Sequence, residues 1–159
     1  MTPPRSNDAR VTIIVDTREQ EPYTFDPERV TTVRRALRSG DYSLDGLDSR
    51  VAVERKSLDD FVSTVIRDRD RFRRELDRLH QMEAACVVVE GNVSDVLRGR
   101  YTSGAHPASI LGAALSIIVD HEIPVYFASD RQAACRFVEG FLLRFHRKAT
   151  RCQPPPTTP

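Results

Sequence analysis

Apolar positions along the chain fall first into short runs and then into helical stripes. Val11-Thr12-Ile13-Ile14-Val15 reads as a strand that ends at Asp16. Val30 to Arg38 is ambiguous between strand and loop and precedes the turn signal Ser39-Gly40-Asp41, while Arg50 to Lys56 is a third strand candidate. At Leu58 the period changes: Leu58, Phe61, Val62, Val65 and Ile66 share one stripe and predict a helix to Arg67. Asp70 to Glu83 repeats the pattern with Phe72, Leu76 and Leu79. Cys86-Val87-Val88-Val89-Glu90 is continuously apolar up to its acid, the sign of a central strand covered on both faces. Gly91 opens a short helix, Val93 to Leu97, and Arg98 to Pro107 is a loop whose proline suits the first turn of a helix running to about His121. Val125 to Ala128 is another strand, and a last helix starts near Asp130 with Cys135, Phe137, Val138, Phe141, Leu142 and Phe145. Strands first, then strands separated by helices, predict a three-layer α/β domain, or an α+β variant, with a mixed central sheet flanked by helices.

Length and composition bound this picture. The 159 residues suit one domain with a real core, placed at residues 11–150. Residues 1–10 are polar with two prolines and 151–159 end in a proline-rich stretch, so both are expected to be disordered. No run reaches the 18 or more apolar residues of a membrane span, and the start has no signal-peptide core, so an intracellular protein (cytoplasm, nucleoid or nucleus) is expected. The three cysteines are odd in number and far apart, fitting neither a disulfide framework nor a metal knuckle. A net charge of +1 says nothing by itself about nucleic acid, but 22 of the 24 basic residues are arginine, so the lysine at position 56 stands out.

Strand alternation then supplies candidate chemistry. Over Arg50 to Lys56, Val51, Val53 and Arg55 share one face, and Ala52, Glu54 and Lys56 the other. A carboxylate and an ammonium projecting together from a strand end suit metal-dependent phosphodiester hydrolysis: the acid holds a hard cation, and the lysine orients a water or steadies charge on the phosphate. On a solvated surface strand the same pattern is common. Asp16 and Glu19 lie just past the first strand, and Asp41 lies in the turn a hairpin's length before the third. Acids beyond strand ends gather at one sheet edge, so Asp16, Glu19, Asp41 and Glu54 are candidate ligands for one Mg²⁺ ion, or a pair. Ser57 is a good helix N-cap with Asp60 three residues on, so Asp60 serves the cap, the site, or both.

These residues form the series G40-D41, E54-R-K-S-L-D-D60, which resembles the G-D…E-R-K-x-x-x-D signature of XPF-family structure-selective DNA endonucleases. V15-D-T-R-E19 is similar to the family's first motif, R71-F-R-R-E-L76 to its arginine-bearing helix, and V87-V-V-E-G91 to its central strand and turn, so the likeness covers about residues 11 to 147. The resemblance implies a restriction-endonuclease-like fold and Mg²⁺- or Mn²⁺-dependent cleavage of branched, flapped or forked DNA in repair or recombination. It implies metal ligation by Asp41 and Glu54 with Asp16 and Glu19, and a catalytic role for Lys56 on water or phosphate. Arg18 and Arg55 would contact phosphate or brace the acids, Asp60 would support Arg55 or the helix start, and Arg71 would pair with a site acid or reach DNA. Family members commonly continue into a tandem helix-hairpin-helix domain, which has no counterpart in this sequence.

Two other readings use the same fold: a non-catalytic DNA-binding or scaffold subunit, and a duplex-cutting restriction or mobile-element nuclease. Decayed subunits lose signature residues, whereas Asp16, Asp41, Glu54 and Lys56 are all present. Residues 67–80 hold six arginines against four acids, either an ion-paired solvated helix or a phosphate-contacting stripe with Arg67, Arg71 and Arg74. In the loop after the short helix, Arg100 and Tyr101 either touch DNA, with Tyr101 stacking on a base, or are plain surface. Phe137, Phe141 and Phe145 of the last helix either pack on the sheet or form a homodimer face.

Overall fold

The computed structural model describes residues 10–152. Both expected disordered ends therefore lie, in their outer parts, outside the described residues. Six strands form one mixed sheet: β1 (Val11–Val15), β2 (Val30–Arg34), β3 (Tyr42–Leu44), β4 (Val51–Ser57), β5 (Ala84–Glu90) and β6 (Val125–Phe127), in the order β2-β1-β3-β4-β5-β6. Only β3 runs against the others, pairing antiparallel with β1 and β4. The helices are α1 (Leu58–Arg67), α2 (Arg69–His80), α3 (Val93–Leu97), α4 (Pro107–Val119) and α5 (Arg131–Arg151).

Each face of the sheet carries its own core, as strand alternation requires. Val51 and Val53 pack with β1, β3 and the α5 residues Val138, Leu142 and Phe145. Ala52, Val87 and Val89 pack with Phe61, Val62, Leu76 and Leu79 of α1 and α2 and with Ile110 and Ile117 of α4. The architecture is thus three layers, with α5 alone on one side. Val11–Val15, Leu58–Arg67 and Val93–Leu97 have the bounds that periodicity predicts. The second helix begins and ends a little earlier than read, and the last helix continues to Arg151, past the expected boundary at 150.

The antiparallel β3 escapes the sequence pattern, because Tyr-Ser-Leu is too short to show alternation. It matters for the site. Since β3 runs backwards, the residue before it lies at the same sheet edge as the residues ending β1 and β4. The backbone records the alignment: the Asp16 amide donates to the Asp41 carbonyl at 2.8 Å, and the Asp41 amide to the Val53 carbonyl at 2.8 Å.

Candidate active site

At that edge a cleft of about 520 Å³ opens between the sheet and α1–α2, and Asp16, Asp41, Glu54 and Lys56 all line it. Four residues separated by up to 40 positions thus meet because β1, β3 and β4 are neighbours. Asp41 is delivered by Gly40, which adopts φ +77°; a Cβ there would sit 3.0 Å from the Val53 carbonyl oxygen and from the Ala52 Cβ. Only glycine lets the turn cross β4 so closely. The Arg55 amide donates to Asp41 Oδ2 at 2.8 Å and fixes the carboxylate. Lys56 Nζ lies 3.3 Å from Glu54 Oε1 and 5.2 Å from the centre of the Phe72 ring.

The electrostatics separate the acids. Burial raises the Asp41 carboxyl above the usual carboxylate range, against the lowering bond from the Arg55 amide. Burial raises Glu54 as well, and the neighbouring Asp41 charge pushes it further in the same direction, with Lys56 opposing. Asp16 behaves differently. Burial raises it, but the Arg18 side chain at 2.7 Å and the Leu37 and Arg18 amides at 2.7 and 3.1 Å outweigh that and hold it below the usual range. Those bonds leave one lone pair of Asp16 Oδ1 uncommitted.

Among the described residues, no group of three or more histidine, cysteine or acidic side chains is already arranged to hold a metal ion. The chemistry of the donor set nevertheless fits one. Asp41 and Glu54 are partly buried carboxylates that oppose each other's ionisation, which a divalent cation with oxygen ligands relieves.

Several expectations change. Glu19, read as a further ligand, does not line the cleft. Its carboxylate accepts from Arg55 Nε at 3.0 Å and Nη2 at 3.3 Å, and from the Glu21 amide at 3.0 Å. Alternation explains it: Arg55 projects to the α5 face, where its Nη1 also reaches Glu90 at 3.1 Å, and Tyr23 Oη donates to the same Glu90 oxygen at 2.6 Å. Arg55 therefore braces the acids of the opposite face rather than meeting a ligand in the cleft. Asp60 lines the cleft but makes no bond to Arg55; its amide donates to Ser57 Oγ at 3.1 Å, so the cap is Ser57. Arg71 lines the cleft, exposed, whereas Arg67 and Arg74 lie on the exposed surface beyond it.

The arginines of residues 67–80 are not laced into ion pairs. Among the described residues only Arg78 has a carboxylate partner, Glu75. Tyr101 packs against the α1–α2 core and donates to the Ala105 carbonyl at 2.7 Å, which ties it to its own loop, and Arg100 sits 3.6 Å from Asp95. Glu75 is a contributor that the sequence reading passes over. It lines the cleft and accepts from the Gly40 amide at 2.9 Å, tying α2 to the turn that presents Asp41. The one available signal was an acid three residues after Phe72 and next to Leu76, bordering the core stripe of the helix that faces the site.

A family profile described as ERCC4 domain matches residues 15–141. A protein of Methanocaldococcus jannaschii, provisionally named an ATP-dependent RNA helicase, is 34% identical over 122 residues, which are 77% of this chain but 14% of that protein. Two solved structures of XPF from Aeropyrum pernix, one in complex with DNA and one without, align at TM-score 0.66 over 87% of this chain. They are 24% and 22% identical to it, and the aligned part is 66% and 67% of those chains.

Proposed function

The chain belongs to the ERCC4 domain family and has the restriction-endonuclease-like fold of its XPF neighbours, and from this premise we propose that it is a divalent-metal-dependent DNA endonuclease acting on branched, flapped or forked DNA. The observation that carries the reading is the meeting of Asp16, Asp41, Glu54 and Lys56 in one cleft at the sheet edge. Asp41 and Glu54 would hold Mg²⁺ or Mn²⁺, with Asp16 completing the donor set. When bound, the cation supplies charge neutralisation for the phosphodiester and lowers the pKa of water.

The side chains supply the rest. Lys56, anchored by Glu54 and the Phe72 ring, donates its ammonium hydrogens to a non-bridging phosphate oxygen or to the attacking water. Arg71, and the exposed side of Arg18, present guanidinium forks to the DNA backbone at the mouth of the cleft. Arg67 and Arg74, which have no carboxylate partner among the described residues, extend that surface, and Arg100 lies across the β4–α1 junction on a second, open depression with Tyr101. Glu75 and the Arg55 amide hold Asp41 in place.

A homodimer also fits this chain. Phe145 is buried against the sheet, but Phe137 stacks on the exposed Tyr126 at 3.8 Å, and α4 exposes Leu115, Ile118 and Val119. A second copy covering Tyr126 and α4, with Phe137 at its border, would remove that apolar surface from water. Helicase activity is not carried over from the archaeal protein, since neither lysine follows a glycine as a phosphate-cradling P-loop requires. Among the described residues no helix is long and apolar enough to cross a membrane; an intracellular setting, in repair or recombination, is part of the proposal.

The test is cleavage of labelled fork, flap, four-way-junction and linear duplex DNA in Mg²⁺, Mn²⁺ or EDTA, by the unaltered chain and by Asp41→Asn and Lys56→Met. Branched substrates should be cut only with metal, and each variant should lose about 100-fold or more in rate. Cleavage in EDTA, or undiminished in either variant, would sink the assigned site. Equal cutting of linear duplex would point to a restriction or mobile-element nuclease, and tight fork binding without cleavage to a scaffold subunit.

A further inference from the structure

On the far side of the molecule the second half of α5 borders a groove of about 420 Å³, within the size range of sites that hold a ligand or an anchoring side chain. Its floor is apolar: Ala84 at the start of β5, with Phe141 and Phe145. Its rim is Arg144, Arg147, Lys148 and Arg151, all exposed, and among the described residues none has a carboxylate within 4 Å. The α5 carbonyl end attracts cations in its last turn, which accounts for Lys148 and Arg151. It does not account for Arg144 and Arg147, or for an apolar trough beside them.

We propose that this groove docks an acidic peptide segment of a partner protein, with an apolar anchor side chain seated between Phe141 and Ala84 and carboxylates on the α5 rim. The rim positions i, i+3, i+4 and i+7 cover about 10 Å of helix, the length of about four residues of extended peptide. One anchor flanked by acids therefore meets all four cations. A phosphate backbone has no use for the apolar floor, and the floor offers little for stacking a base: Phe145 is buried, and the Arg50 guanidinium already lies 5.6 Å from its ring centre. A second copy placed by a two-fold axis would bring the same four cations toward each other. Residues 153–159 contain no acid, so this tail lacks the complementary charge.

The groove is separate from the cleft. Ala84 pairs with Val51, whereas Lys56 lies five residues further along β4, about 17 Å by strand rise, and α5 covers the opposite face. A partner held here leaves the cleft open, so the surface would tether the protein to an acidic partner without occupying the proposed site.

The test is fluorescence anisotropy with a labelled twelve-residue peptide that has Phe-Leu at its centre and Asp or Glu elsewhere, against an all-Glu peptide and a single-stranded oligonucleotide of matched charge. Neither metal nor cleavage is needed, so the result is independent of nuclease activity. The anchored peptide should bind at least tenfold tighter than the all-Glu peptide. The exposed double substitution Arg144→Glu/Arg147→Glu, which leaves the last-turn cations Lys148 and Arg151 in place, should weaken it tenfold or more without lowering Tm, and Phe141→Ala should abolish the preference for the anchor. Equal binding of the two peptides, no binding, or an oligonucleotide that binds more tightly and is weakened more by the double substitution would overturn the proposal. Peptide binding that emerges only after deletion of residues 153–159 would also overturn it, in favour of the chain's own tail.

Discussion

Replacing Arg55 with Met should unfold the protein more readily without acting through the chemistry. The guanidinium is 7% exposed and makes two bonds to Glu19, whose side chain is 7% exposed, and one to Glu90, 13% exposed. Methionine fills similar volume and keeps the backbone amide that holds Asp41, but it strands the Glu19 carboxylate with only the Glu21 amide, while Glu90 keeps Tyr23 and Arg131. Breaking such a pair costs about 3–5 kcal/mol, because an uncompensated charge is left in a poorly solvated site. For a domain of this size that lowers Tm by about 6–20 °C, at 2–4 °C per kcal/mol. Urea unfolding followed by far-ultraviolet circular dichroism, in EDTA at neutral pH, measures it. Adding Glu19→Gln should recover part of the loss, since one stranded charge is removed. A loss under about 1 kcal/mol, combined with abolished DNA cleavage by folded protein, would refute the division of labour and return Arg55 to the reacting site.

Glu75→Ala should remove the acceptor for the Gly40 amide, costing about 1–3 kcal/mol and lowering kcat more than it raises KM, while Glu75→Gln keeps an acceptor and stays near the parent. Paired steady-state kinetics on the two variants check this, and equal defects would refute it. The raised carboxyls give a pH signature for the metal-free protein. Asp41 is pushed up to about 6 and Glu54 to about 8, so both favour the protonated form in the fold. Their contribution is fully present below the unfolded carboxylate values of about 4 and is lost as pH rises from there through those folded values. In EDTA, Tm should therefore fall from about pH 5 to about pH 8, and Mn²⁺ should restore it most at the upper end. A profile unchanged by Asp41→Asn would refute the assignment.

The central strands and most helices were legible because burial on both faces writes β5 as an unbroken valine run, and burial on one face writes α1 as a stripe. Period two in β4 went further and separates Glu54 and Lys56 from Arg55: all three residues border the cleft, but the Arg55 guanidinium turns to Glu19 and Glu90 and only its amide faces Asp41. What escaped depends on partners distant in sequence. Glu19 looks like any acid past a strand until Arg55, 36 residues away, is found to hold it. Glu75 is masked by the arginines around it, and its partner is a backbone amide, which carries no residue-specific signal. Tyr42 to Leu44 is too short to announce itself as the strand that sets Asp41 in line.

The alternation along β4 also fixes where the chain tolerates length change. Arg55 serves the brace beneath α5 and Lys56 the cleft beneath α1–α2, in consecutive positions with opposite directions. Inserting or deleting one residue between Val51 and Glu54 would exchange their sides. The ammonium would enter the Glu19–Glu90 pocket and the guanidinium would enter the cleft, so brace and cleft would fail in a single step. Homologous chains should therefore vary in length in the β3–β4 connection and after β5, and keep the number of residues from the glycine-aspartate turn's partner in β4 to the serine cap unchanged.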